Sequence, residues 1–277
     1  MSEVRRAGPR SAARGPARAV PWQLRIPALV AFALLVLPFV GLLVRAPWTD
    51  MPTLLADPVV FGALRLSLLC ATLAAAASVV LGIPLAWVLA RSDGRTAGVA
   101  RALVTVPLVL PPVVGGVALL AALGRTGILG RPIDDAFGIT LPFTSAAVVV
   151  AETFVAMPFL VITVEGAFRT LDSGLEEAAT TLGSSRWRTF LRITVPTVAP
   201  ALVAGTALAW ARALGEFGAT ITFAGNSPGR TQTMPLAVYL AMERDPDAAL
   251  ALSVLLLAVC VGVLIALRGR WFSAVTR

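Results

Sequence analysis

Long apolar runs closed by arginine constrain the fold more than any other feature of this sequence. The first run, 26–44, lies between Arg25 and Arg45 and is long enough, at about 1.5 Å per helical residue, to cross a roughly 30 Å hydrocarbon core. Backbone polar groups inside lipid must be satisfied within the chain, so each run predicts a helix. The predicted spans are 26–44, 66–90, 102–124, 143–164, 195–214 and 248–267.

The composition agrees with a polytopic membrane protein. Hydrophobic residues make up 57% of the 277 residues and charged residues 14%, more apolar surface than a soluble domain of this size needs. We therefore predict an all-α fold whose six transmembrane helices occupy 26–270. Residues 1–25, rich in arginine, alanine, proline and glycine, predict a disordered tail, and 271–277 form the C-terminus. A cleaved signal peptide is the alternative for the tail, but no small-residue cleavage site closely follows the first run.

The arginines predict the orientation of the spans. Six spans place both termini on one side, where sixteen arginines fall, against six in the opposite loops. We therefore predict a multi-pass protein of the inner membrane. The positive-inside rule places both termini and the central loop in the cytoplasm. The net charge of +8 reflects this orientation rather than nucleic-acid binding.

Missing residue types exclude much chemistry. All 23 basic residues are arginine, and there is no histidine. Without lysine the chain can build neither a P-loop nor a Schiff base, and without histidine it has no imidazole for catalysis or metal binding. Cys70 and Cys260 lie in apolar runs and are predicted to be packing residues. We expect no catalytic residue, metal or cofactor in this chain.

A charged segment, 171–193, interrupts the apolar pattern. Ser173 followed by Glu176 is a capping box for a short helix, and Asp172 is an alternative cap for the same start. Gly183 can adopt the left-handed conformation that ends a helix. The pattern predicts a helix, a turn and a second helix on the cytoplasmic side.

The second helix of this segment has Ser184 or Ser185 as its cap. Small side chains in the first helix leave a face that another surface can approach closely. The residues that share this predicted face are Leu175, Ala178, Ala179 and Leu182. The pattern alone leaves two interpretations open, namely a hairpin that lies on lipid headgroups and a docking site for another protein.

The spacing E-A-A, three residues, G, nine residues, I-x-x-P resembles the signature loop of permease subunits in bacterial ABC importers. Its residues are Glu177, Ala178, Ala179, Gly183, Ile193 and Pro196. The family pattern ends I-x-L-P, and Val195 replaces the leucine here. The resemblance implies a type I ABC importer permease fold in which the first helix of this loop is a coupling helix. The residues that the resemblance assigns to coupling with a separate ATPase subunit are Glu177, Ala178, Ala179 and Gly183.

The segment 212–226, RALGEFGATITFAGN, is similar to molybdate permease subunits. Sulfate and thiosulfate permeases share the G-E-F/Y-G core but diverge after it, where 219–222 favours molybdate. The resemblance covers about 55–268. It implies molybdate import by alternating access, with tungstate or sulfate/thiosulfate as alternatives. The implied partners are a second copy of the chain, two ABC ATPase subunits that hold ATP and magnesium, an extracytoplasmic oxyanion-binding protein and membrane lipid.

The end of the fifth span carries the residues predicted to line or gate the path. A dianion in hydrocarbon costs tens of kcal/mol by Born solvation, so a path needs water and hydrogen-bond donors. Arg212 and Glu216 are four residues apart and can pair along a helix. The pair either fixes the helix end or leaves Arg212 to contact the anion. The predicted path or gate residues are Arg212, Gly215, Glu216, Phe217, Thr220 and Thr222.

Two other intramembrane features leave alternatives open. Pro111 and Pro112, followed by Gly115 and Gly116, indicate either a packing kink or a broken helix that lines the path. Glu152 in the fourth span either pairs with a basic residue, Arg212 being the candidate, or stays protonated.

Two rival classes fit less well. An ion-coupled secondary transporter predicts acidic clusters and inverted repeats inside the membrane, but Glu152 is isolated there and no repeat is evident. A membrane enzyme needs a histidine, cysteine or paired-aspartate site. The acidic pair Asp134 and Asp135 lies in a predicted outer loop, where solvation explains it.

Overall fold

The computed structural model describes residues 21–275, and all regular elements in this range are helices. Residues 1–20, most of the predicted N-terminal tail, and 276–277 lie outside the described residues. The predicted all-α fold is confirmed for the described range. The helices are α1 (Trp22–Arg45), α2 (Met51–Leu55), α3 (Pro58–Ala90), α4 (Arg95–Val109), α5 (Pro112–Leu123), α6 (Gly130–Phe137), α7 (Ser145–Arg169), α8 (Ser173–Thr181), α9 (Arg186–Thr189), a π-helical turn (Phe190–Thr194), α10 (Val195–Thr197), α11 (Ala199–Leu214), α12 (Gly218–Phe223), α13 (Met234–Arg244) and α14 (Pro246–Val275).

Helix length and apolarity give up to six spans within residues 21–275. Four helices qualify alone, namely α1, α3, α7 and the first part of α14, Pro246–Val263. Two bent pairs complete the set if each counts as one span, Arg95–Val109 with Pro112–Leu123 and Arg186–Thr197 with Ala199–Leu214. The helix α1 forms a structural unit of its own that ends at Arg45.

The third predicted span is not one helix. The chain bends by 119° between α4 and α5, at the prolines that predicted either a packing kink or a broken helix. Leu110 and Pro111 are extended at the bend, with ψ of 131° and 130°. A proline disfavours the α region for the residue before it, and the consecutive prolines Pro111 and Pro112 therefore hold the two residues ahead of α5 out of the helical conformation.

Other helices run beyond the apolar cores that predicted them. The helix α3 begins at Pro58, where the Asp57 carboxylate accepts a hydrogen bond from the Val59 N–H at 2.8 Å. The Thr144 hydroxyl caps α7 in the same way, at 3.1 Å from the Ala147 N–H. The predicted start of the fifth span is also displaced, because 195–197 belong to the segment before a 74° bend.

The helix α7 is the centre of the packed unit 46–275. It packs against α3 and α11, and also against α4, α5 and α12. Small residues allow close approach, since a methyl group at Gly82 would lie 2.9 Å from Leu160 and one at Gly205 would lie 3.3 Å from the Leu160 Cα. Glycine at these positions therefore sets how closely α3 and α11 approach α7.

Candidate functional site

Two regions hold the residues that the sequence singled out. The first comprises 171–194 and is named the cytoplasmic loop after the side on which the arginine distribution predicts it. The second, the span-five break, comprises 212–222. The coupling residues all lie in the first region and the path residues all lie in the second.

The helix α8 begins with the alternative cap. Asp172 is the N-cap, and its carboxylate accepts a hydrogen bond from the Gly174 N–H at 2.9 Å. Ser173 is instead the first helical residue, so the capping-box prediction is wrong. The reason is that the Glu176 carboxylate turns away from the helix start and bonds to other elements of the fold.

Gly183 ends α8 as predicted. Its φ is +83°, in the left-handed region that glycine occupies without a Cβ penalty. The Gly183 N–H donates to the Thr180 carbonyl and the Ser184 N–H to the Ala179 carbonyl, each at 3.0 Å, which is a Schellman motif. Ser185 then caps α9, with its hydroxyl 3.4 Å from the Arg188 N–H.

The structure divides the apolar face predicted for α8. Ala179 is buried, whereas Leu175 is 47% exposed and Leu182 is 88% exposed. Ala179 faces inward because it is three residues after Glu176, which bonds inward, and Leu182 follows the last helical residue. Glu177 and Ala178 are exposed. The outward surface of α8 therefore combines a carboxylate, a small side chain and two leucines.

Glu176 connects the loop to α3, a link that the sequence did not reveal. Its Oε2 lies 2.5 Å from Nη2 of Arg91, and its Oε1 accepts a hydrogen bond from the Thr194 hydroxyl at 2.6 Å. The Arg91 guanidinium also lies over the Trp87 ring, 3.0 Å from its centroid. A cavity of about 880 Å³ separates the end of α3 from α8 and α9 beside these contacts.

A second arginine, Arg101 on α4, fixes the C-terminal end of α3. Its Nε lies 2.6 Å from Glu165 on α7, and its Nη2 donates to the Leu89 and Ser92 carbonyls at 2.5 and 2.7 Å. Arg169 approaches the same Glu165 at 3.5 Å. Only the Glu165–Arg169 spacing of four residues was visible in the sequence.

The fifth span ends in a break that an ion pair spans. The helix α11 ends at Leu214, and α12 begins at Gly218. Arg212 Nη1 lies 2.7 Å from Glu216 Oε2, which confirms the predicted pairing geometry. Glu216 Oε1 also accepts a hydrogen bond from the Ala219 N–H at 2.9 Å. Glu216 therefore joins the two helices across the break.

Burial is unequal within this pair. The Glu216 side chain is 1% exposed, but the Arg212 side chain is 28% exposed. Because the carboxylate is enclosed, its charge requires the guanidinium beside it. The guanidinium has donors to spare, since it carries five N–H groups.

The other predicted path residues differ in availability. The Thr222 hydroxyl donates to the Gly218 carbonyl at 2.8 Å, so the helix uses it. Thr220 is fully buried, and within residues 21–275 its hydroxyl has no hydrogen-bond partner. The Phe217 ring contacts the Tyr239 ring on α13, with centroids 5.1 Å apart. Gly215 is the residue that terminates α11.

The two broken spans meet at glycines. A methyl group at Gly116 would lie 2.6 Å from the Thr222 Cβ and 2.9 Å from the Ala219 carbonyl oxygen. One at Gly218 would lie 2.7 Å from the Pro112 Cβ. These contacts between α5 and α12 account for the glycines by close packing.

Glu152 on α7 does not pair with Arg212 within the described residues, so that alternative is wrong. Arg212 pairs with Glu216 instead. The Glu152 side chain is 1% exposed, its Oε2 has no hydrogen-bond partner in the described part of the chain, and it interacts electrostatically with Glu216.

Comparison with known proteins places this arrangement among transport proteins. Residues 78–273 match a family described as the binding-protein-dependent transport system inner membrane component. The chain is 45% identical to the molybdenum transport system permease protein ModB of Mycobacterium tuberculosis, over 92% of this chain and 96% of that one. Identity with the protein of the same name from Escherichia coli K12 is 38%, over 81% and 97%. The sulfate transport system permease protein CysT of E. coli K12 is 36% identical, over 78% of each chain.

Solved structures share the fold at low sequence identity. A bacterial ABC transporter involved in alginate import has a chain with a TM-score of 0.72 at 16% identity, covering 91% of this chain and 94% of that one. The MetNI methionine ABC transporter gives 0.60 at 17% identity, covering 79% and 99%.

Proposed function

The chain belongs to the family of inner membrane components of binding-protein-dependent transport systems, and we propose that it is the permease subunit through which molybdate enters the cytoplasm. The observation that carries the substrate is the 45% identity over 92% of the chain to a relative named for molybdenum transport. The sulfate permease of E. coli has the lower figures of 36% and 78%.

The cytoplasmic loop supplies the contact with a separate ATPase subunit, which holds the ATP and magnesium. The exposed side of α8 supports this assignment because Leu175, Ala178 and Leu182 are apolar side chains without a cover in the described chain. Glu177 adds a charge that a basic side chain of the partner can pair. Ala179 has a different role, because it is buried on the inward side of α8 and determines how closely this helix packs against its neighbours. Gly183 shapes the turn that presents this surface.

The assembly that we propose combines this chain with the partners that the family resemblance implies. Two copies of the chain enclose the path between them, two ATPase subunits dock on the cytoplasmic loops, and an extracytoplasmic binding protein delivers the anion. Both termini lie in the cytoplasm, as the arginine distribution predicts. Lipid covers the apolar outer faces. ATP binding moves the coupling helices together and opens the path outward, and hydrolysis resets it.

The path runs beside the span-five break. Arg212 is the member that reaches an anion, because its side chain is partly exposed while Glu216 holds it in place. Gly215 permits the break, and Phe217 with its Tyr239 contact closes the path beside it. Thr220 offers a hydroxyl donor that the described chain does not use, and Thr222 completes the helix turn that carries it. A partly neutralised arginine attracts a dianion without retaining it.

The proposal is tested by measuring the uptake of labelled molybdate in cells that lack this gene and have no other route of molybdate uptake. Wild type restores uptake, tungstate competes and sulfate does not. Gly183→Leu removes uptake at normal membrane levels, because leucine strains the left-handed turn. Equal competition by sulfate, or entry of labelled sulfate, would replace molybdate by sulfate as the substrate. Uptake that never depends on the chain would refute an oxyanion path.

A further inference from the structure

We propose that Arg91, Glu176 and Thr194 form a latch through which the coupling helix α8 moves the span α3. The proposal rests on the proposed function, and it gives Arg91, Glu176 and Thr194 a role in coupling that neither the sequence pattern nor the comparisons assign to them. Arg91 and Thr194 belong to different elements, the end of α3 and the π-helical turn, and both bond to the same carboxylate.

The first argument is that α8 has little other attachment to the spans. It packs mainly against α9 and the π-helical turn, which belong to the same loop. The cavity of about 880 Å³ lies between the end of α3 and this loop. The Arg91–Glu176 pair joins an α8 side chain to the end of α3, whereas the Thr194–Glu176 hydrogen bond joins it to the π-helical turn of the same loop. Force applied to α8 therefore reaches α3 through this pair.

The second argument concerns the aromatic side chains that position the Arg91 guanidinium. Its guanidinium lies over the Trp87 ring, and that ring makes edge contacts with Phe168 and Phe190, at 5.1 and 4.7 Å between centroids. Phe168 lies near the end of α7, and Phe190 begins the π-helical turn. The aromatic cluster keeps the guanidinium aimed at Glu176, which makes the position of the charge specific.

The third argument is that the pair is too exposed to act mainly as a stabiliser. The side chains of Arg91 and Glu176 are 38% and 22% exposed, and ion pairs in such surroundings contribute little to stability. The Glu176 carboxylate is nevertheless held at both oxygens, which fixes its direction. A weak but directed contact suits a joint that transmits a displacement. The helix α3 runs unbroken from Pro58 to Ala90, so a displacement at this end is carried along the span.

The test uses the complete transporter, with ATPase subunits and binding protein, in proteoliposomes. Two rates are measured, entry of labelled molybdate and ATP hydrolysis. We compare Arg91→Gln, Glu176→Gln and the double variant, with Thr194→Val as a further break. Arg95→Gln is the matched control, because Arg95 is an exposed arginine four residues away that forms no ion pair of 4.0 Å or less within the described range.

The latch predicts that each single variant lowers molybdate entry per ATP about tenfold while ATP hydrolysis stays within about twofold of wild type. The double variant is no worse than either single variant, since both break one contact. The control matches wild type. Multiplying effects in the double variant, or a proportional fall of both rates, would refute the latch. Molybdate entry by wild type tests the proposed function separately.

A second measurement does not depend on the substrate. Spin labels at Thr181 and Val88, in a background without Cys70 and Cys260, report the distance from α8 to α3. The latch predicts one narrow distance with and without ATP in wild type, and a broad distribution in Glu176→Gln. The same distribution in both proteins would overturn the proposal even if molybdate is not the transported anion.

Discussion

Two arginine–glutamate pairs of nearly the same length serve the two candidate regions in different surroundings. Arg91 and Glu176 are 2.5 Å apart in the cytoplasmic loop, and Arg212 and Glu216 are 2.7 Å apart at the span-five break. Glu176 is 22% exposed, whereas Glu216 is 1% exposed. The comparison teaches that burial, not the distance between charges, decides whether a pair holds the fold together or only directs a contact.

The largest effect is expected from removing the cation of the buried pair. Arg212→Met leaves the Glu216 charge enclosed without its partner, which costs about 3–5 kcal/mol. Thermal unfolding in detergent measures the loss. Arg212→Met with Glu216→Gln keeps an acceptor for the Ala219 N–H and removes the charge, so it should recover part of the stability. Equal loss in the single and double variants would contradict a charge-based explanation.

The next effect tests whether the break is rigid. Gly116→Ala places a methyl group 2.6 Å from the Thr222 Cβ and 2.9 Å from the Ala219 carbonyl oxygen. Overpacking of this kind costs about 1–3 kcal/mol. Gly98→Ala is the control, since nothing lies within 4 Å of its added methyl group. Gly98→Ala should raise stability by up to about 1 kcal/mol through helix propensity. Similar changes in stability in the two variants would show that α5 and α12 can move apart to accommodate the added methyl group.

A smaller effect is expected in the cytoplasmic loop. Gly183→Ala forces a Cβ into the left-handed region at φ +83°, which costs roughly 1–2 kcal/mol. Gly183→Asn should cost less, because asparagine tolerates this conformation. Nothing lies within 4 Å of the added Cβ, so the penalty comes from the backbone alone. Hydrogen exchange of the 179–184 amides measures the local opening, and equal protection in Ala and Asn variants would contradict this explanation.

The smallest effect on stability is expected from Arg91→Gln. An exposed pair contributes about 0–1 kcal/mol, so the unfolding temperature should barely change. Measuring the change in unfolding temperature for Arg91→Gln and Arg212→Met in the same assay compares the exposed pair with the buried pair directly. A loss from Arg91→Gln as large as that from Arg212→Met would mean that exposure does not separate the two pairs.

Local features of both regions were predictable. The Arg212–Glu216 pair follows from a spacing of four residues, and the left-handed Gly183 from the end of an apolar pattern. Asp172 as a cap was predicted only as an alternative. Such features depend on neighbours within one or two turns, which the sequence places together by itself.

The contacts that the sequence missed join residues far apart in the chain. Arg91 and Glu176 are 85 positions apart, and the capping box gave Glu176 a local role that the long-range pair replaces. The prolines of the third span predicted an interruption of the helix. The sequence of that span alone predicts neither the 119° bend nor the close approach of Gly116 to Ala219. Glu152 was assigned Arg212 as a candidate partner without knowledge that Glu216 already holds it.

The π-helical turn at Phe190–Thr194 has a consequence for the rotational phase of the chain that follows it. Such a turn holds one residue more than an α-turn, and it is typically found at functional sites. If the same residues were wound as a regular α-helix, every later side chain would be rotated by about 100° around the helix axis. Thr194 would then face away from Glu176, while the fifth span would present a different side to α7. The nine residues between Gly183 and Ile193 therefore determine the rotation of the following helix about its axis as well as the length of the loop.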